Sequence, residues 1–130
     1  MSKVCIVTGA SRGLGRGIAK VLAEERSATV YATARSEAAL NDLASSIKSD
    51  TGVIHPVVLD QSDDSAVEKF ITTVAEKEGR IDLLVNSAYG GLTAMTPHFG
   101  KPFWERPISV FDASIDIGLR SAFVSSAIVA

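Results

Sequence analysis

The chain has 130 residues, 46% of them hydrophobic, with 13 basic against 15 acidic side chains and a formal net charge of −2. Those values suit one soluble globular unit and speak against nucleic acid as a partner, because no stretch accumulates the Lys and Arg that track phosphates. The longest apolar runs are strand-length and the first begins within three residues of the N-terminus, so neither a membrane segment nor a signal peptide is expected. One cysteine, Cys5, falls inside that first run. It reads as a small core residue without a disulfide partner, which suits a reducing, cytoplasmic setting.

Val4-Cys5-Ile6-Val7 has the unbroken apolar pattern of a parallel strand covered on both faces. Gly9, Gly13 and Gly15 then break the chain into a turn, and Leu14, Ile18, Val21 and Leu22 recur with helical spacing, predicting a helix from about Gly13 to Arg26. A helix that starts on a glycine turn offers unpaired N–H groups and a positive end, where an anion is favoured. Spacing narrows the choice. A P-loop requires Gly-Lys where Leu14 and Gly15 stand, and G-x-G-x-x-G counted from Gly13 fails because Ile18 takes the place of the third glycine. What remains is Thr-Gly-x-x-x-Gly-x-Gly, from Thr8 to Gly15. Within it Thr8, Gly9, Ser11, Arg12, Gly13, Leu14 and Gly15 are the candidate cofactor-binding residues.

A second strand spans Ala28 to Ala34 and is followed by Arg35. In a dinucleotide fold the residue about 20 positions beyond the glycine turn meets the adenosine ribose. An acidic side chain there bonds the ribose hydroxyls of NAD and repels a 2′-phosphate; a basic one favours NADP. Arg35 therefore predicts NADP (NADPH) in preference to NAD, each charge-assisted bond contributing about 1.5–3 kcal/mol, or about tenfold in discrimination. The alternative is a solvated surface arginine.

Ser36 is placed to cap a helix carrying Leu40, Leu43 and Ile47 on one face. The third strand, Val53 to Leu59, contains Pro56 and so belongs on a sheet edge, which predicts the order 3-2-1-4. Asp60 ends it. Ser62 and Asp63-Asp64 open a helix with a stripe of Val67, Phe70, Ile71 and Val74, and a fourth strand, Ile81 to Val85, leads into Asn86-Ser87-Ala88-Tyr89-Gly90. The ends of strands one and four flank the switch point where a dinucleotide lies. Residues 87–108 are expected to form a loop whose Phe99, Phe103 and Trp104 either line a substrate pocket or cover the sheet. A last helix, about 109–130, carries Phe111, Ile115, Leu119, Ala122 and Phe123 on one face. His55 and His98 have no Cys or carboxylate cluster at metal spacing, so no metal site is read. The fold class is α/β, a Rossmann-like doubly wound parallel sheet, with residues 1–130 as one partial dinucleotide-binding domain.

The pattern from Thr8 to Gly15, in this setting, resembles the short-chain dehydrogenase/reductase family in its main single-domain branch. Phe103-Trp104-Glu105, Asn86-x-Ala88-Tyr89 and Gly118-Leu119-Arg120 resemble one narrower branch of it. The resemblance implies a second NADP-directed cation at Arg12 and an aspartate beside the adenine at Asp60. It also implies cofactor contacts at Asn86 and Ala88, which agree with the family's Asn-Asn-Ala-Gly, whereas Ser87 and Tyr89 depart from it. Gly118 stands where the family has an Asn that holds a water for proton relay. The catalytic Ser and Tyr-x-x-x-Lys are absent from these residues: Tyr31 is followed four positions on by Arg35, and Tyr89 by Thr93. The expectation is thus a fragment of an NADP(H)-dependent oxidoreductase, lacking the second half of the sheet and holding the adenosine half of the site, with no catalytic residue of its own and no activity alone. Its parent would pass hydride between NADPH and a small carbonyl or alcohol substrate, as a homo-oligomer when full length. The alternatives are a non-catalytic NADP-binding or dimer-forming truncated isoform, or an incomplete gene model.

Overall fold

Strands β1 (Val4–Val7), β2 (Thr29–Ala34), β3 (Val53–Val58) and β4 (Leu83–Val85) form one parallel sheet in the order β3-β2-β1-β4. The computed structural model describes residues 2–130. Helices α1 (Gly13–Arg26), α2 (Glu37–Ser45) and α3 (Asp64–Glu78) connect the strands. Because successive side chains of β1 point to opposite faces, its apolar run serves two cores. Cys5 and Val7 pack with Val30, Ala32 and Ile54 against Ala19 and Ala23 of α1 and Leu40 and Leu43 of α2. Val4 and Ile6 pack with Tyr31 against Val67, Ile71 and Val74 of α3.

The face that α1 buries differs from the one its large residues predict. Gly15, Ala19 and Ala23 are buried, whereas Leu14 is 82% exposed and Val21 is also exposed. The reason is close approach: a side-chain carbon on Gly15 would collide with the Gly9 carbonyl, so only small residues fit beneath the helix. Ile18 and Leu22 pack at its flanks. Ser27 ends the helix in the left-handed conformation at φ 52°.

Helices α2 and α3 are both capped. Ser36 Oγ accepts from the Ala39 amide at 3.3 Å, and Asp63 Oδ1 from the Ala66 amide at 3.1 Å. Ser62 turns back instead, donating its hydroxyl to Asp60 Oδ1 at 2.7 Å. At the β3 edge the amides of Val53 and Leu59 reach inward to the carbonyls of Ala28 and Ala34 at 3.1 and 2.9 Å. Amides alternate in direction along a strand, so the nitrogen of Pro56 faces outward, where no ladder bond is lost.

The stretch read as an irregular loop holds a short helix, α4 (Gly91–Met95), and single turns at Thr96–His98 and Phe103–Glu105. Phe99, Phe103 and Trp104 are exposed and do not cover the sheet; Phe103 and Trp104 meet edge to face at 5.3 Å. The last helical stretch is not one regular helix. It runs as α5 (Ile108–Ala113), a π-helical segment (Ser114–Arg120) and α6 (Ser121–Val129). The face expected to be apolar points outward at Phe111, Leu119 and Phe123, while Val110, Ser121 and Ser125 are buried. A π segment shifts the hydrogen-bond step to five residues, so positions before and after it do not share one stripe. Polar fasteners set which side docks. Gln61 Nε2 donates to Ser125 Oγ at 3.2 Å, Asn86 Nδ2 to Ser126 Oγ at 3.1 Å, and Arg120 forks onto Asp64 at 2.7 and 2.6 Å. Val124 and Ile128 complete the contact with the second core.

Candidate cofactor cleft

The site begins at the carboxyl ends of β1 and β4. Thr8, buried just past β1, accepts on Oγ1 from the amides of Ser87 and Ala88 at 3.1 and 3.2 Å and donates to the Val85 carbonyl at 3.4 Å. One hydroxyl thereby fastens the turn after β1 to the loop after β4. Gly9 follows at φ +62°, with Ser87 and Ala88 backbone atoms where a side chain would be. Gly13, at φ +60°, has no atom within 4 Å of that place and leaves the start of α1 open.

That helix start differs from those of α2 and α3. Arg12 occupies the capping position without capping, and the first turn has no acidic residue, whereas the first turns of α2 and α3 carry Glu37 and Asp64. Among the described residues, neither a capping side chain nor a first-turn carboxylate meets the positive end of α1.

A cleft of about 310 Å³ opens over this turn, lined among others by Gly9, Ser11, Arg12, Gly13, Leu14, Arg35, Asp60 and Ala88. Eight of the residues singled out from sequence thus share one surface. Lining the cleft also accounts for the exposure of Leu14. Thr8, Gly15 and Asn86 do not line it: Thr8 is the fastener beneath, Gly15 lets α1 approach the turn, and the Asn86 amide is turned to Ser126. Phe99, Phe103 and Trp104 lie outside the cleft too.

Arg12, Arg35 and Asp60 are the charged residues among the lining. Asp60, at the β3 end, has its carboxyl held below the usual carboxylate range, first by the Ser62 hydroxyl and amide and further by the positive charge of Arg35. Arg12 reaches Thr93 Oγ1 at 3.5 Å, linking the start of α1 to α4. Lining residues that sequence alone does not put forward for the site include Gln61, Tyr89 and Ile117. Gln61 follows Asp60 and is buried; Tyr89 and Ile117 form the wall at the β4 end. In the sequence Tyr89 is a departure from the family motif and part of the narrower-branch pattern, not a site residue, and Ile117 takes its place from the π segment, which periodicity does not signal.

A parallel sheet of this order, with a glycine turn and an uncapped helix at its switch point, defines a dinucleotide-fold protein. The chain belongs to the short-chain dehydrogenase/reductase family of oxidoreductases, whose sequence profile, short chain dehydrogenase, matches residues 3–130. Within that family it is 44% identical over 125 residues to dehydrogenase/reductase SDR family member 1 of Mus musculus, a match covering 95% of this chain and 40% of that protein. The narrower branch resemblance is to this relative, and the chain spans less than half of its length. A metagenomic short-chain oxidoreductase solved in complex with NADP superposes with a TM-score of 0.84 at 32% identity, over 98% of this chain and 55% of that one. An alcohol dehydrogenase from Thermococcus sibiricus complexed with 5-hydroxy-NADP gives a TM-score of 0.82 at 28% identity, over 99% of this chain and 52% of that one. Among the described residues no helix is long and apolar enough to cross a membrane, and no cluster of three or more His, Cys, Asp or Glu could hold a metal ion.

Proposed function

We propose that the cleft binds the adenosine half of NADP(H), and that the whole protein passes hydride between NADPH and a small carbonyl or alcohol. The observation that carries the cofactor choice is the pair of cations, Arg12 and Arg35, on one cleft with the glycine turn. Among the described residues the only carboxylate lining that cleft, Asp60, lies at the β3 end and is already engaged by Ser62. The nicotinamide cofactor supplies the hydride chemistry; the protein supplies position and charge. The open amides at the start of α1 take the pyrophosphate, Arg12 and Arg35 take the 2′-phosphate, and Asp60 walls the adenine. Thr8, Gly15 and Asn86 act behind them, holding the turn, the helix and α6 in place. These residues hold no Tyr-x-x-x-Lys, so we place the catalytic groups outside these 130 residues and read the chain alone as inactive. The solitary buried Cys5 supports a reducing compartment, and the full-length protein is read as a homo-oligomer.

Titration of the chain with adenosine 2′,5′-bisphosphate and with AMP tests the cofactor choice. The bisphosphate is expected to bind about tenfold tighter or more, from one or two charge-assisted bonds, and Arg35→Asp is expected to reverse the order. Equal affinities before and after the substitution would return both arginines to the status of surface residues.

A further inference from the structure

Two departures from the family pattern, Tyr89 and Gly118, lie against each other. A side-chain carbon built on Gly118 falls 3.0 Å from Cδ2 and 3.3 Å from Cε2 of Tyr89, so a larger residue at 118 must move the ring. The neighbouring glycines clear the rest of its berth. A carbon on Gly91 would run into the Tyr89 hydroxyl, and one on Gly90 would sit 2.8 Å from Ile117 Cδ1. The helix beneath is the π segment Ser114–Arg120, a distortion that recurs at functional sites. Tyr89 is 50% exposed and lines the cleft at the β4 end, across the glycine turn from Arg35.

Hydrogen-bond accounting then fixes what the phenol offers. Ser114 Oγ donates its one hydrogen to the Val110 carbonyl at 2.8 Å. It also lies 3.3 Å from the Tyr89 hydroxyl, where it has only an acceptor left to give. The Tyr89 O–H is therefore committed to Ser114, and its oxygen keeps an acceptor lone pair, on a residue that lines the cleft. A ligand at this point must donate. If adenosine sits at Arg35, a dinucleotide crossing the switch point brings its nicotinamide and second ribose to the β4 end. Those groups carry carboxamide N–H and ribose O–H donors.

We infer that Tyr89, seated on Gly118 and oriented by Ser114, is a positioning residue whose phenol oxygen accepts a hydrogen bond from the nicotinamide-ribose half of the dinucleotide. This deepens the cofactor reading and rests on it. Bulk that the family pattern places on the helix, at position 118, is here carried by the loop, at position 89.

The test uses the 130-residue chain and two probes, NADPH and adenosine 2′,5′-bisphosphate, which lacks the nicotinamide half. Tyr89→Phe is expected to weaken NADPH roughly fivefold, the worth of one neutral hydrogen bond, and to leave the bisphosphate unchanged, which also shows that the variant is folded. Gly118→Ala, by displacing the ring, should weaken NADPH by a similar factor. The double variant should be no worse than either single one. Unchanged NADPH affinity in Tyr89→Phe, or equal weakening of both probes, overturns the assignment. Failure of the unaltered chain to bind the bisphosphate overturns the cofactor reading, and the Tyr89 assignment falls with it.

Discussion

Thr8 Oγ1 accepts from the Ala88 amide at 3.2 Å across the sheet, so a side chain just past β1 carries the loop that follows β4. The same oxygen serves the Ser87 amide at 3.1 Å. Thr8→Val keeps the shape and leaves two part-buried amides without an acceptor, which costs about 1–3 kcal/mol. Thr8→Ser should keep most of it. Urea melts of the two variants check this; equal stability would mean that the loop is held by other contacts.

The glycines of the turn are expected to separate. Gly9 and Gly13 have nearly the same positive φ, 62° and 60°, so alanine strains both by about 1–2 kcal/mol. Only at Gly9 does the added carbon also meet backbone, at 2.6 Å from the Ser87 carbonyl oxygen. Gly9→Ala should therefore lower stability more than Gly13→Ala, and should abolish binding of adenosine 2′,5′-bisphosphate by pushing the two loops apart. Equal melting points for the two variants would contradict this packing.

Acid should loosen the lead into β4. Asp82 Oδ2 accepts from the Val4 amide at 2.8 Å, and its other oxygen pairs with Arg80. Those contacts, the Arg80 bond foremost, hold its carboxyl down to about 2 from an ordinary 3.8. A depressed carboxyl contributes stability above its unfolded value, and the contribution is lost as pH falls through the folded value. The melting-point gap between the unaltered chain and Asp82→Asn should therefore be full at neutral pH and close between about pH 4 and pH 2. A gap that persists at pH 2 would assign the effect to something other than this charge.

Purified alone, the 130-residue chain should oxidise no NADPH with a broad set of aldehydes and ketones. A rate above that of Gly9→Val, in which the turn is blocked, would mean that a proton donor within these residues has been overlooked.

Phe111, Leu119 and Phe123 stand exposed on the outer side of the last helical stretch, a patch of the kind that monomers avoid. Light scattering is expected to show concentration-dependent association, reduced by Phe111→Ser with Phe123→Ser. A monodisperse monomer at high concentration would show the patch to be inert.

The residues that made the fold legible are those whose physics is local. Pro56 marked the edge strand, Gly9, Gly13 and Gly15 marked the turn, and the unbroken run from Val4 to Val7 marked a strand buried on both faces. The position of Arg35 on the cleft followed from counting along a fixed topology. What stayed hidden depended on distances between elements. Leu14 and Val21 fit a helical stripe by spacing, but α1 lies too close to the sheet for them, and Ala19 and Ala23 do the packing. The face of the last helix was set by Gln61, Asn86 and Asp64, three polar residues far away in sequence. Gln61 had no pattern to announce it, and the pattern that contains Tyr89 spoke of a family branch and not of a place on the cleft. Tyr89 acquires a meaning only beside Gly118.

The outward nitrogen of Pro56 also gives the sheet a direction of growth. Along the outer rim of β3, the donors that an incoming strand needs belong to Ile54, residue 56 and Val58, and the middle one is missing. A foreign chain that tries to lengthen the sheet there finds a gap at its centre. On β4, whose neighbour on one side is β1, no proline interrupts Leu83 to Val85. Any strand joining this sheet, whether from the same polypeptide or another, is steered to the β4 side, beside Asn86 and the loop that carries Tyr89. Backbone added to this sheet would therefore lie at the edge nearest that loop.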